Sequence, residues 1–176
     1  MSRYLSVLIL VALSLPAAAA TQRILTQAEA GRIVEAAMAY AHEHAAPGGA
    51  IAIVDGGGNL IQLSRLDGSF PAAAEIAMGK ARTAALFRKP TSVFEELVNK
   101  GRVTMVTLPS VTPFTPLKGG VPIELDGQIV GAIGVSGAAS ADQDNEIAEA
   151  AVAFAKGLTD AAENSGQATA PSGRHE

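Results

Sequence analysis

The feature of this sequence that most constrains its fold is a pair of apolar stretches on either side of Asp126-Gly127. Asp-Gly is a preferred dipeptide of tight two-residue turns, because both positions adopt a positive φ readily. Residues 121–125 and 128–135 are therefore predicted to form two antiparallel strands joined by that turn. Residues 50–66 repeat the pattern, with three consecutive glycines between two apolar stretches. The sequence thus predicts two β-hairpins and an antiparallel sheet.

Four helices are predicted to accompany the strands, and they cover residues 26–45, 71–88, 92–101 and 141–158. The first begins with Thr26 and Glu29, a capping-box pair, and then carries apolar residues at intervals of three and four. Ser140 and Gln143 show a similar spacing at the start of the last helix. Because amphipathic helices need a sheet face to cover, helices and hairpins together predict an α+β domain, with an antiparallel sheet flanked by helices in two or three layers.

The segment between the second helix and the last hairpin gives a weaker pattern. Ser92 and Glu95 form another capping-box pair, before a short helix that Gly101 ends. Residues 102–118 contain three prolines, which exclude a continuous central strand. The sequence predicts a short strand over 103–107 and then an ordered loop that lines a site.

The first twenty residues have the pattern of a cleavable secretory signal peptide. Arg3 is their only charge, an apolar run extends from Leu5 to Leu13, and Pro16 precedes four alanines. The run is about half the ~20 residues that a membrane-spanning helix needs, although a retained N-terminal anchor is the alternative. The predicted organisation is a signal peptide at 1–20, one domain at 21–158 and a disordered tail at 159–176.

The composition excludes several classes of function. Removal of residues 1–20 takes away one of the 13 basic residues and none of the 17 acidic ones, which leaves a formal charge of −5. Nucleic acid is not expected as a partner, because binding it requires a basic surface. The chain has no cysteine, which excludes disulfides and thiolate ligation of zinc or haem. We expect a periplasmic or secreted protein with no membrane association after cleavage.

His42 and His44 are the candidate metal ligands. They lie near the end of the first predicted helix, and His42 follows Met38 by four residues on its apolar face. Residues two apart on a helix point about 200° apart, so the pair cannot bind one metal ion from the same face. One of them is a candidate ligand of a haem iron, which histidine often binds in proteins. The alternative is that each is a cation that stabilises a helix C-terminus.

Polar residues stand out on the alanine-rich second helix. The candidate ligand-binding residues there are Glu75, Lys80, Arg82 and Thr83. Lys80 and Arg82 have the charge to bind carboxylates, such as haem propionates or a small organic acid. Gly79 allows close approach to the helix. The alternative is a solvated polar face.

Three glycines interrupt the last predicted strand, at Gly131, Gly134 and Gly137. Close packing of a helix against the strand is one interpretation. The other is a ligand that lies against bare backbone.

Several of these segments together resemble one known family. They are residues 51–58, 76–91, 119–123 and 126–137. The last of them, Asp-Gly-Gln-Ile-Val-Gly-Ala-Ile-Gly-Val-Ser-Gly, is long and distinctive. The resemblance is to the GlcG/HbpS-like family, which includes an extracellular haem-binding protein and the C-terminal domain of PduO-type proteins, and it covers roughly residues 24–158. It implies a profilin-like layered fold, assembly into homo-oligomers and haem as a bound cofactor.

These observations predict an exported haem-binding protein that acts in haem capture, in haem sensing or in protection from free haem. One alternative is an enzyme that acts on a small organic acid, with Glu75 as base and Lys80 or Arg82 binding the carboxylate. Haem degradation is the other candidate reaction. A further alternative is an accessory subunit of a periplasmic enzyme or sensor. No motif has a spacing that decides whether the protein is an enzyme.

Overall fold

The computed structural model describes the backbone of residues 22–167 and the side chains of residues 22–158. In chain order the elements are α1 (Gln27–Glu43), β1 (Ala50–Asp55), β2 (Leu60–Arg65), α2 (Ala73–Phe87), α3 (Thr91–Asn99), a 3-10 helix (Val103–Ser110), β3 (Gly120–Leu125), β4 (Gln128–Ser136) and α4 (Ala141–Gln167). The predicted signal peptide and the last nine residues of the predicted tail, 168–176, lie outside the described residues.

The four strands form one antiparallel sheet in the order β2-β1-β4-β3. Each predicted hairpin supplies two neighbouring strands, so both hairpin predictions are confirmed. Asp126 and Gly127 have φ angles of 51° and 69°, as the tight turn between β3 and β4 requires. The pairing of β1 with β4 joins the hairpins at the centre of the sheet, with Ala50 opposite Ser136.

The two faces of the sheet carry side chains of different size. Alternate residues of a strand point to opposite faces. On one face Ile51, Ile53 and Ile133 pack with α1 and α4 in a large apolar core. On the other face Ala52 and Ala132 pack with the alanines of α2. The sheet therefore lies between two helical layers, which confirms the predicted α+β fold with helices flanking an antiparallel sheet.

The backbone of α2 lies directly on β3 and β4, because the strands present glycine where the helix crosses them. A Cβ atom on Gly134 would overlap the carbonyl oxygen of Ala77 and lie 2.6 Å from the nitrogen of Ala81. A Cβ atom on Gly120 would lie 2.5 Å from the carbonyl oxygen of Lys80. Helix packing therefore explains Gly134, as one of the two interpretations predicted.

Two of the three predicted helix caps are present. The hydroxyl of Thr26 accepts a hydrogen bond from the Glu29 amide at 3.2 Å, and the Glu29 carboxylate accepts one from the Thr26 amide at 2.9 Å. The hydroxyl of Ser140 accepts a hydrogen bond from the Gln143 amide at 3.1 Å. The cap predicted at Ser92 is wrong: Ser92 is already inside α3, which begins at Thr91 after Pro90 and has no side-chain cap.

The strand predicted over 103–107 is also wrong, because these residues form a 3-10 helix. The hydroxyl of Thr107 donates to the carbonyl oxygen of Thr104 at 2.8 Å, and the hydroxyl of Ser110 donates to that of Thr107 at 2.7 Å. Such local side-chain bonds compete with strand pairing, and Pro109 removes a backbone donor.

The last helix continues past its predicted end at residue 158, and its backbone is helical to Gln167. Across the described part of the chain, no helix combines the length and apolar character needed to cross a membrane.

We expect Gly134→Ala to destabilise the protein strongly, because the new methyl group must displace the backbone of α2. Overpacking in a close-packed core costs about 1–3 kcal/mol or more in the free energy of unfolding. Gly157→Ala is the matched control: this glycine lies in α4 with no atom near its Cβ position, so alanine should stabilise the helix by about 0.5–1 kcal/mol. Urea unfolding of both variants measures the difference, and equal stabilities would contradict the packing of α2.

Candidate functional site

At one end of the sheet, the last residues of α1, β2 and β4 lie near the first residues of β1, α2 and α4. The last residue of β4, Ser136, pairs with Ala50 at the start of β1, and Ala50 also pairs with Arg65 at the end of β2. The helices α2 and α4 begin at this end, and α1 finishes there. The side-chain amide of Gln143 in α4 donates to the carbonyl oxygen of His44 at 2.9 Å, which joins the end of α1 to the start of α4.

A cleft of about 300 Å³ opens at this end of the molecule. Phe70, Ile76 and Leu117 contribute apolar walls, and Ser136 and Lys80 contribute polar groups. The volume is at the small end of the ~300–1,000 Å³ range that is typical of small-molecule sites.

Lys80 is the most constrained polar residue of this cleft. It is 2% exposed, and its ammonium group donates hydrogen bonds to the carbonyl oxygen of Val135 and to Oδ2 of Asp144, both at 2.8 Å. The other carboxylate oxygen of Asp144 accepts a hydrogen bond from the Ala138 amide at 2.9 Å. The charge of Lys80 is therefore neutralised within the fold, so it is not a free binding group for an external carboxylate.

Thr83 and Gly79 position the loop that follows the 3-10 helix. The Thr83 hydroxyl donates to the carbonyl oxygen of Gly79 at 2.9 Å and accepts a hydrogen bond from the Thr115 amide at 2.7 Å. A Cβ atom on Gly79 would overlap the side chain of Thr115. The close approach predicted at Gly79 is thus made by the protein's own loop.

Aromatic packing and one surface ion pair hold this loop against the neighbouring helices. The rings of Phe87, Phe94 and Phe114 contact one another with centroids 5.3–5.4 Å apart. The ammonium group of Lys118 donates to Oδ1 of Asp142 at 2.6 Å, and this hydrogen bond raises the pKa of Lys118. The loop predicted to line a site therefore contributes Leu117 and Lys118 to the cleft.

The remaining candidates of the second helix do not converge on the cleft. Glu75 is exposed. Arg82 donates through Nε to the carbonyl oxygen of Gly58 at 3.2 Å, in the turn between β1 and β2. The arrangement of Glu75 as base with Lys80 or Arg82 as carboxylate-binding group is therefore not formed, because Lys80 is bound by Asp144 and Arg82 lies towards the other end of α2.

Both histidines lie on the surface, outside the cleft. His42 is exposed, so its placement on the apolar face of α1 is wrong. The buried face of that helix includes Ala37 and Ala41, and the next residue is rotated by about 100°. His44 is also exposed. Its ring stacks on Tyr40 at a centroid distance of 3.8 Å, and its Nδ1 lies 2.9 Å from the Tyr40 carbonyl oxygen.

Because a carbonyl oxygen only accepts hydrogen bonds, Nδ1 of His44 must be the donor to Tyr40. The lone pair of the neutral ring is then on Nε2, which is the arrangement that metal-binding histidines generally have. Within the described residues, no three side chains of His, Asp or Glu are grouped so as to hold a metal ion. A metal ion bound at His44 would therefore need most of its other ligands from a cofactor rather than from these side chains.

The opposite end of the sheet has a groove of about 390 Å³, lined in part by Arg23, Asp55 and Arg88. The Asp55 carboxylate accepts hydrogen bonds from the amides of Gly57 and Asn59, both at 2.8 Å. Burial raises the pKa of Asp55, but hydrogen bonds from the Asn59 side chain and from these backbone amides outweigh it, so the pKa is lowered. The glycine-rich segment after β1 is thus a hairpin turn held by its own aspartate.

Sequence and fold together identify the class of protein. The chain belongs to the family described as haem degrading protein HbpS-like, whose model matches residues 25–153. It is similar to the protein GlcG of Escherichia coli strain K12, with 55% identity over 86 residues; the match covers 49% of this chain and 62%, less than two thirds, of GlcG.

Solved structures share the fold. Klebsiella pneumoniae ORFY has a TM-score of 0.71 and 26% identity, over 81% of this chain and 97% of that one. A double mutant of Streptomyces reticuli HbpS has a TM-score of 0.68 and 31% identity, over 80% and 97% of the two chains. A complex of PduOC with heme has a TM-score of 0.67 and 24% identity, over 74% and 94%, and shows the fold alone.

Sequence reasoning missed three residues of the cleft for different reasons. Asp144 has the ordinary pattern of an acidic residue in the first turn of a helix, and nothing in the sequence pairs it with Lys80. Phe70 directly precedes the second predicted helix, and nothing in the sequence places it beside a cleft. Ser136 directly follows the strand that the sequence predicts, in a glycine-rich motif, and the structure makes it the last residue of β4.

We expect Lys80→Met to lower the free energy of unfolding by about 3–5 kcal/mol, because it leaves the Asp144 carboxylate buried without its cation. Lys100→Met is the matched control, since Lys100 pairs with Glu96 on the surface of α3 and an exposed pair contributes about 0.5 kcal/mol or less. Urea unfolding compares the two variants. A Lys80→Met protein as stable as the control would show that the buried pair does not hold the fold.

Proposed function

We propose that this protein is an exported haem-binding protein that acts in haem capture, in haem sensing or in protection from free haem. The observation that carries the proposal is family membership over residues 25–153, in a family described by haem degradation. HbpS, at 31% identity, supports it. The complex of PduOC with heme supports it further, since a protein of the same fold binds haem.

The residues at the end of α1 fit a haem iron. His44 is exposed, its ring is held by stacking on Tyr40, and its Nδ1 donates to a backbone carbonyl. An imidazole held in this way offers Nε2 to a metal without further rearrangement. We therefore propose His44 as the axial ligand in preference to His42, for which no ring contact or hydrogen bond holds the side chain among the described residues. The iron of a bound haem would supply redox and ligand-binding chemistry at this position.

The porphyrin would lie on the surface and remain partly exposed. The nearby cleft, at about 300 Å³, is too small to enclose a porphyrin. We also propose that the protein forms homo-oligomers, as the family resemblance implies, and a second copy of the chain would then cover the exposed side. Homo-oligomer formation in general is supported by exposed apolar residues on and beside the 3-10 helix: Val103, Val106 and Val111.

Titration of the mature protein with haemin should give a shifted Soret band that saturates at a fixed stoichiometry. His44→Ala should weaken binding by roughly tenfold or more, because the bond from imidazole to iron is lost. His42→Ala and His175→Ala are the matched controls and should leave the spectrum unchanged. No saturable shift in the wild-type protein would overturn the haem proposal, whereas an unchanged spectrum in His44→Ala would overturn the ligand assignment alone.

We also propose that residues 1–20 are removed during export to the periplasm or the medium. The support is the sequence pattern: an apolar run flanked by Arg3 and by alanines 17–20. Expression of the full chain in a Gram-negative host should give a periplasmic protein that begins at Thr21. N-terminal sequencing measures this, and Ala20→Arg, which blocks the small-residue pocket of the peptidase, should leave the precursor uncleaved. An intact N-terminus in the wild-type protein would contradict the proposal.

A further inference from the structure

The cleft at the end of the sheet contains a hydroxyl group that no other group of the described residues binds. Ser136 is 4% exposed and lines the cleft. It lies two residues after Gly134 on β4, so its side chain points to the α2 side of the sheet. Its hydroxyl has no hydrogen-bond partner among the described residues. The hydroxyl oxygen is not among the fully buried side-chain atoms that lack a partner, so it is open to the cleft and can donate a hydrogen bond to a ligand there.

The ammonium group of Lys80 supplies a second hydrogen-bond donor to the cleft that Ser136 lines. An ammonium group has three N–H bonds, and two of them are taken by the Val135 carbonyl oxygen and by Asp144. The third has no protein acceptor within the described part of the chain. Both Lys80 and Ser136 line the same cleft, which therefore presents two donors and calls for an acceptor oxygen.

The charges around the cleft argue against an anionic ligand. Lys80 is paired with Asp144, and Lys118 with Asp142. The Glu95 carboxylate accepts a hydrogen bond from the Lys118 amide at 2.6 Å, so three carboxylates face two ammonium groups. An added carboxylate would lose hydration without gaining an uncompensated cation. An uncharged acceptor, such as a carbonyl oxygen, avoids this cost.

The walls of the cleft indicate the chemical character of the rest of the ligand. Phe70 and Leu117 are 44% and 45% exposed, although both are large and apolar. Phe70 lies against Gly137, where a Cβ atom would be 3.0 Å from the ring, and Gly137 has a φ of 100° that favours glycine. The ring is therefore held at the cleft with one side open, and an apolar group would cover it.

We propose that this cleft binds a small uncharged molecule in which a carbonyl oxygen is attached to an apolar body. The oxygen accepts hydrogen bonds from the Ser136 hydroxyl and the Lys80 ammonium group, and the apolar body packs between Phe70, Ile76 and Leu117. The site is distinct from His44 and does not depend on haem.

Acetophenone is a suitable probe, because it joins one carbonyl oxygen to one aromatic ring. Titration of the ¹⁵N-labelled mature protein should give saturable shifts of the Gly137 and Ala138 amides. Ethylbenzene has the same shape without the oxygen, and benzoate adds a charge; both should bind at least about fivefold more weakly. Saturable binding of acetophenone without haemin separates this proposal from the haem proposal.

Ser136→Ala should weaken acetophenone binding by about fivefold and remove the preference over ethylbenzene, since one hydrogen bond is lost. Ser110→Ala, on the exposed 3-10 helix, is the matched control and should bind as the wild-type protein does. The proposal would be overturned by the absence of saturable shifts at the cleft, by an unchanged affinity in Ser136→Ala, or by tighter binding of benzoate than of acetophenone.

Discussion

The close approach of α2 to the sheet is the constraint on which the rest of the structure depends. Helices usually pack on sheets through layers of side chains, but here Gly134 and Gly120 allow backbone to lie on backbone. The alanines of α2 and of the facing strands fill the narrow gap. This closeness brings the side chain of Lys80 within reach of Val135 and Asp144 at the end of β4. A wider spacing would leave that ammonium group short of both acceptors.

The pair of Lys80 and Asp144 joins the two helical layers around the end of the sheet. A buried ion pair contributes little net stability relative to apolar packing, yet breaking it leaves an uncompensated charge. It therefore favours one relative placement of α2 and α4 over others. The pair also changes the chemistry expected of Lys80, from a free carboxylate-binding cation to a neutralised donor with one remaining N–H bond.

Two kinds of binding group lie at the same end of the molecule without forming one site. His44 is on the surface at the end of α1, stacked on Tyr40, whereas Ser136 and Lys80 are in the cleft between α2, β4 and α4. They share this end because the antiparallel order of the strands places the end of β4 beside the start of β1, which follows α1 closely. Their separation would allow the proposed haem ligand and the proposed small-molecule cleft to function independently in one domain.

The sequence by itself determined the elements whose signals are local: the two hairpins and the caps at Thr26 and Ser140. Each depends on turn chemistry, on capping hydrogen bonds or on the periodicity of apolar residues, which neighbouring residues specify. The structure decided between the two interpretations of Gly134 in favour of helix packing. Only the tertiary structure decided the 3-10 helix after α3, the exposure of His42 and the partner of Lys80. Lys80 and Asp144 are 64 residues apart in the chain, and their contact follows from how closely α2 packs on the sheet, which depends on every layer at once.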